Sequence, residues 1–143
     1  MSTRGIIVNR ERKRQILDFS KLRYNITATP TDCDFMLELK DRLFIIGEYK
    51  HECTPLPRGQ ELALTRLCDA VTQSGRHTLL FIAQHSEPVE FDIDGAAAIV
   101  DRMRYRYKWF SGRNQTVSDV VTRFIEKFSD NASPTGAQAT IDT

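Results

Sequence analysis

Apolar residues along this chain fall in short runs whose spacing changes from one stretch to the next. Phe35-Met36-Leu37 and Leu43-Phe44-Ile45-Ile46 are separated by the polar triplet Lys40-Asp41-Arg42. A polar connection of hairpin length between apolar runs predicts adjacent antiparallel strands. The second run closes on Glu48-Tyr49-Lys50. Residues two apart in a strand share a face, so one side of this strand ends in a carboxylate beside an ammonium group. Such a hairpin brings Asp34, at the mouth of the first strand, towards Glu48.

Upstream, Ile6-Ile7-Val8 precedes the run Arg10-Glu11-Arg12-Lys13-Arg14. Asn9 suits the cap of a basic helix with Ile16 and Leu17 as its apolar side. That face is either solvated or a phosphate contact. Leu22 to Ala28 alternates as a strand does and leads into the turn Thr29-Pro30-Thr31-Asp32. Downstream, Pro55 and Pro57 stop the central strand. A helix is predicted over residues 58–73, ended by Ser74-Gly75, with Leu64, Leu67, Cys68 and Val71 as its inner stripe. Gln60 lies one turn before Leu64 in that stripe and so points at the sheet.

His77 to Gln84 has the composition of a fully buried strand. Strand, helix and strand in succession imply a crossover, hence a mixed sheet. Glu90 to Ile93 reads as a short outer strand. Ala96 to Phe110 reads as a helix with Ala96, Ile99, Val100, Met103, Tyr107 and Phe110 inside. Its outer surface then shows Arg102, Arg104, Arg106 and Lys108 among Tyr105 and Trp109, a mixture suited to a nucleic-acid backbone. A final helix starts at the Thr116/Asp119 capping box and buries Val117, Val120, Val121, Phe124, Ile125 and Phe128. The expected class is α/β, a central mixed sheet of four to five strands flanked by helices. One domain is expected over residues 1–129, with a small, polar and disordered tail over 130–143.

Composition narrows the function classes. With 143 residues, 41% hydrophobic and 27% charged, the chain suits a single soluble core. A net charge of +1 excludes a polycation, so any nucleic-acid contact must come from a local basic face. No apolar run reaches membrane-spanning length and no signal peptide is visible, which predicts a cytoplasmic protein with no membrane partner. Cys33, Cys53 and Cys68 are odd in number and lack metal-ligand spacing, as expected in a reducing compartment. His51-Glu52-Cys53 offers a zinc ligand pair without a second pair to complete it.

The candidate chemistry lies at the hairpin. Two carboxylates converging at the edge of a buried sheet repel each other unless a cation sits between them. A divalent ion with oxygen ligands, Mg2+ or Mn2+, is the natural resolution, and Lys50 beside it would meet a negatively charged group. An acid-x-Lys triplet alone proves little, since Glu11-Arg12-Lys13 and Glu38-Leu39-Lys40 are also present. Only Glu48-Tyr49-Lys50 closes a long apolar strand, follows an acid-bearing strand and precedes a helix with an inward glutamine.

Asp34, Glu48-x-Lys50 and Gly59-Gln60 opening a helix resemble the PD-(D/E)XK nuclease superfamily. The phrase DFSKLRYNITATPTDCD is similar to small phage and bacterial members. The resemblance spans about residues 10 to 85. It implies a restriction-endonuclease-like core of a helix, a three-stranded meander, a crossover helix and a further strand. It implies a metal-dependent deoxyribonuclease in a bacterial or phage-infected cell, with Asp34 and Glu48 binding Mg2+ (or Mn2+), Lys50 assisting the attacking water and Gln60 supporting the site. DNA is the implied partner, held by Arg102, Arg104, Arg106 and Lys108 together with Arg12 and Arg14. The family's Pro-Asp pair is absent, because Cys33 precedes Asp34 and Pro30 stands four residues upstream. Asp32 competes as the first acid, and Glu11 or Asp18 as an acid from the first helix. A nuclease-fold module that binds DNA without cutting, within a homodimer or larger assembly, and a structural α/β domain with a Glu48–Lys50 ion pair are the alternatives.

Overall fold

The computed structural model describes residues 5–13, 18–22, 30–52 and 54–128. The chain divides into two compact units, residues 1–32 and 33–143. In the first, Arg10–Lys13 forms one helical turn, α1, closed by a bond from the Lys13 N–H to the Asn9 carbonyl. The predicted strand over Leu22 to Ala28 lies outside the described residues except for Leu22, as do Arg14, Ile16, Leu17 and the tail from residue 129.

The second unit is α/β. Its elements are β1 (Phe35–Leu39), β2 (Leu43–His51), α2 (Arg58–Gln73), β3 (His77–His85), β4 (Ile99–Tyr105), β5 (Lys108–Ser111) and α3 (Val117–Phe128). The five strands form one mixed sheet in sequence order. β1 and β2 are the predicted hairpin, paired antiparallel from Leu39↔Leu43 to Phe35↔Gly47. Its loop turns through left-handed backbone at Lys40 and Asp41, and the Arg76 guanidinium holds the Asp41 carboxylate through both oxygens. α2 then crosses over, so β3 lies parallel to β2 with Glu48 beside Ile82 and Lys50 beside Gln84.

Alternation along the strands divides the core into two faces. On one, Leu43, Ile45, Leu79, Phe81 and Val100 pack against Val117, Val120 and Phe124 of α3. On the other, Ile46, Leu80 and Ile82 pack against Leu64 and Cys68 of α2. Leu67, placed in the inner stripe of α2 by its spacing, is half exposed instead. α3 starts at the predicted capping box: the Asp119 N–H donates to Thr116 Oγ1 at 3.1 Å and the Thr116 N–H donates to Asp119 Oδ2 at 3.2 Å.

The stretch 96–110 is not a helix. It is the β4–β5 hairpin, and two features hid it. β4 carries an extra residue at Asp101, since Ile82 pairs with Arg102 but Ala83 pairs with Val100. That β-bulge puts Val100 and Met103 on the same face, reproducing within a strand the three-residue spacing of a helix. The turn, Arg106-Tyr107, has positive φ at both positions, a conformation that usually calls for Asn-Gly. Residues 90–93 form no strand either. Among the described residues no helix is long and apolar enough to cross a membrane.

Gly47 interrupts the apolar run of β2 for a steric reason. A Cβ there would lie 2.1 Å from the ring of Phe81, which meets Phe35 and Tyr49 edge to face with centroids at 5.1 and 5.7 Å. Close approach at Gly47 therefore seats the aromatic cluster beneath the ends of β1 and β2. Gly47→Ala is expected to destabilise the fold by about 1–3 kcal/mol through overpacking, measured as a lower denaturation midpoint in urea with an unchanged slope.

Candidate functional site

The register of the β1–β2 hairpin, continued one step past Phe35↔Gly47, sets Asp34 opposite Glu48. The main-chain N–H of Tyr49 donates to Asp34 Oδ2 at 2.9 Å and fixes that carboxylate at the end of β2. Glu48 is only 2% exposed. Its Oε2 accepts a hydrogen bond from Gln60 Nε2 at 2.6 Å and faces Lys50 Nζ at 3.3 Å. Its Oε1 is buried without a hydrogen-bond donor. Asp34, Glu48, Lys50 and Gln60 thus converge on the α2 face at the C-terminal ends of the parallel pair. Gln60 reaches Glu48 because it occupies the first turn of α2, one turn before the buried Leu64.

Electrostatics follow from this packing. Burial pushes the Glu48 carboxyl up to about 7, helped by the negative charge of Asp34 and by a hydrogen bond from the acid form to Asp34. Lys50 pulls the other way and does not win. The Tyr49 hydroxyl, raised to about 12 by burial, then by Asp34 and Asp94, stays protonated and donates to the Gly95 carbonyl at 2.9 Å. The Cys33 thiol donates to the Phe35 carbonyl, and burial raises it above the ordinary value. At neutral pH it is therefore neither thiolate nucleophile nor thiolate ligand.

The donor set fits a hard divalent cation. Two facing carboxylates, one with a buried oxygen lacking a donor, are hard oxygen groups of the kind that bind such an ion. Among the described residues no group of three or more His, Cys, Asp or Glu could hold a metal, so the pair Asp34 and Glu48 has no third such side chain beside it. His51 and His85, register partners on β2 and β3, have ring centroids 5.3 Å apart. The Glu87 N–H donates to His85 Nδ1, which leaves the neutral ring's proton on Nε2 rather than a lone pair for a metal. Cys53 lies outside the described residues. Asp32, Glu11 and Asp18 belong to the N-terminal unit.

The basic residues divide into two kinds. Arg102 and Arg104 do not lie on an outer helix face; they project from β4 onto α2. Arg104 grips Asp69 through two bonds of 2.8 Å, and Arg102 grips Glu61 at 3.0 and 3.4 Å. Trp109 packs beside them, its ring centre 4.4 Å from the Arg102 guanidinium carbon. These arginines fasten to the sheet the helix that carries Gln60. Arg106 and Lys108 are exposed at the hairpin turn. Of the other predicted contacts, Arg12 has only its backbone described, in α1, and Arg14 lies outside. The orienting donor on Asp34 is a main-chain N–H, which no residue type announces.

No family model, curated protein or solved structure matches the chain. The functional reading therefore stands on this geometry.

The raised carboxyl of Glu48 makes a signed prediction. The folded protein holds that proton up to about pH 7, whereas an unfolded glutamate releases it near 4.5. Between those values the native state binds more protons, so the metal-free protein should lose stability as pH rises from about 4.5 to 7 and level off above. Melting curves of wild type and Glu48→Gln should diverge across that window, the variant being the flatter. Parallel curves would mean that Glu48 ionises normally.

Proposed function

We propose that this chain is a metal-dependent deoxyribonuclease with a core of the PD-(D/E)XK type. The observation that carries the reading is the convergence of Asp34, the buried Glu48, Lys50 and Gln60 at one end of a hairpin joined by a crossover helix to a parallel strand. The antiparallel hairpin, the crossover helix and the parallel strand after it support that reading.

In this mechanism Asp34 and Glu48 would hold Mg2+ or Mn2+, which when bound would supply charge neutralisation at the scissile phosphate and a more acidic water. The Tyr49 N–H and the Gln60 amide orient the two carboxylates in advance. Lys50, its side chain 20% exposed, is anchored at Glu48. It assists the attacking water and donates to charge developing on the phosphate. Arg106 and Lys108 offer sequence-independent phosphate contacts.

Lys50→Ala should lower turnover about a hundredfold or more while leaving the fold and metal binding intact. Lys50→Arg should not restore it, because a planar fork does not replace a compact ammonium in a tight site. Single-turnover cleavage of several DNA forms with Mg2+ or Mn2+ reads this directly. Purified protein that binds DNA but cuts none with either metal would instead be a non-catalytic module. Replacing Arg106 and Lys108 by alanine should flatten the salt dependence of DNA binding by about one unit of slope for each phosphate that is no longer neutralised.

A further inference from the structure

Between the first turns of α2 and Trp109 of β5 lies a cavity of about 310 Å³, walled by Leu56, Arg58, Glu61, Leu62, Thr65 and Trp109. We propose that it receives one unpaired nucleobase of a single DNA strand held at Glu48 and Asp34. The proposal rests on the nuclease reading for the identity of the chain that enters.

Three observations favour a base over other ligands. The volume is at the lower end of the range for small-molecule sites, enough for a flat ring system and not for a folded peptide segment. The wall joins an indole and two leucines to a hydroxyl, a carboxylate and a guanidinium, the apolar and hydrogen-bonding mixture that a heterocyclic base requires. The wall is also built in advance. Glu61 is bonded twice to Arg102, and Arg102 stacks on Trp109, so the indole is held in place by an ion pair anchored on α2.

Position ties the cavity to the chemistry. Gln60, which bonds Glu48, immediately precedes Glu61 of the cavity wall, so the first turn of α2 contributes to both sites. Arg58 opens that turn and is exposed, a cation available to a backbone phosphate. A base inside a duplex is stacked and paired on both sides, and extracting it costs a few kcal/mol. The cavity therefore favours single strands, frayed ends or flaps over blunt duplex.

Trp109 is the only tryptophan in the chain and reports on its own cavity. Full-length protein in EDTA, where no metal supports cutting, is titrated with a 15-nucleotide single strand and with the same backbone made wholly abasic. Binding is followed in parallel by the anisotropy of a labelled strand. Base entry predicts quenching or a shift of Trp109 emission by the intact strand only, and abasic binding weaker by about tenfold or more. Thr65→Phe, which fills the cavity and keeps the reporter, should bring intact-strand binding down to the abasic level. Trp109→Ala should do the same, but it also removes packing, so Thr65→Phe decides. Unchanged emission at saturation, equal affinity for the two strands, an equal response to blunt duplex, or no binding would each overturn the proposal. Cleavage with Mg2+ is measured separately. Cutting without the emission change removes the cavity and leaves the nuclease, while the emission change without cutting removes the nuclease and leaves a strand-binding cavity.

Discussion

Glu48 is buried at the end of β2, next to another acid, and that placement is costly enough to govern what surrounds it. A carboxyl group withdrawn from water needs donors, and this one has two on a single oxygen, the Gln60 amide and the Lys50 ammonium. Both donors depend on backbone geometry. Lys50 reaches Glu48 because β2 stays regular for two more residues, and Gln60 does so because α2 begins where its first turn overhangs the strand. Asp34 completes the set only because the hairpin register puts it opposite. Shifting either strand by one residue would turn these side chains to the other face and break the constellation.

Holding α2 in that position falls to β4. Arg102 and Arg104 reach from the sheet to Glu61 and Asp69, acids at two levels of the helix. Paired guanidinium bonds add direction to the apolar contact of Leu64 and Cys68, which alone would let the helix slide. The same arginines that would look like a nucleic-acid surface on an exposed helix are instead parts of the scaffold, and one of them also stiffens Trp109. Distance from the carboxylates does not make β4 irrelevant to them.

The central site was legible in the sequence because each of its members obeys a simple period. Two-residue alternation set Glu48 and Lys50 on one side of β2, the polar triplet 40–42 announced the hairpin, and helical spacing aimed Gln60 at the sheet. The hairpin after residue 98 was illegible for an equally physical reason. A bulge at Asp101 gave strand residues a helical spacing, and Arg106-Tyr107 adopted a turn that glycine or asparagine normally signals. Helical spacing consequently puts Arg102 and Arg104 on an outer, nucleic-acid-facing surface, whereas their partners Glu61 and Asp69, distant in sequence, emerge only from the packing of α2 on β4. The bond from the Tyr49 N–H to Asp34 was invisible for a different reason, since every residue except proline carries that donor.

The two faces of the sheet also divide their tasks. The α3 face is a continuous apolar and aromatic layer, in which His77 stacks on Phe128 at 4.2 Å and pairs its Nδ1 with the Tyr105 hydroxyl. The α2 face holds a smaller apolar cluster together with the Lys50–Glu48, Arg102–Glu61 and Arg104–Asp69 ion pairs. Burying an acid whose proton leaves only near pH 7 lowers the stability of the ion-free protein, and the α2 cluster is small. The apolar α3 face offsets that cost without touching the carboxylates. The paired carboxylates and the larger apolar layer thus lie on opposite sides of the same five strands, so the strain at one is carried by packing at the other.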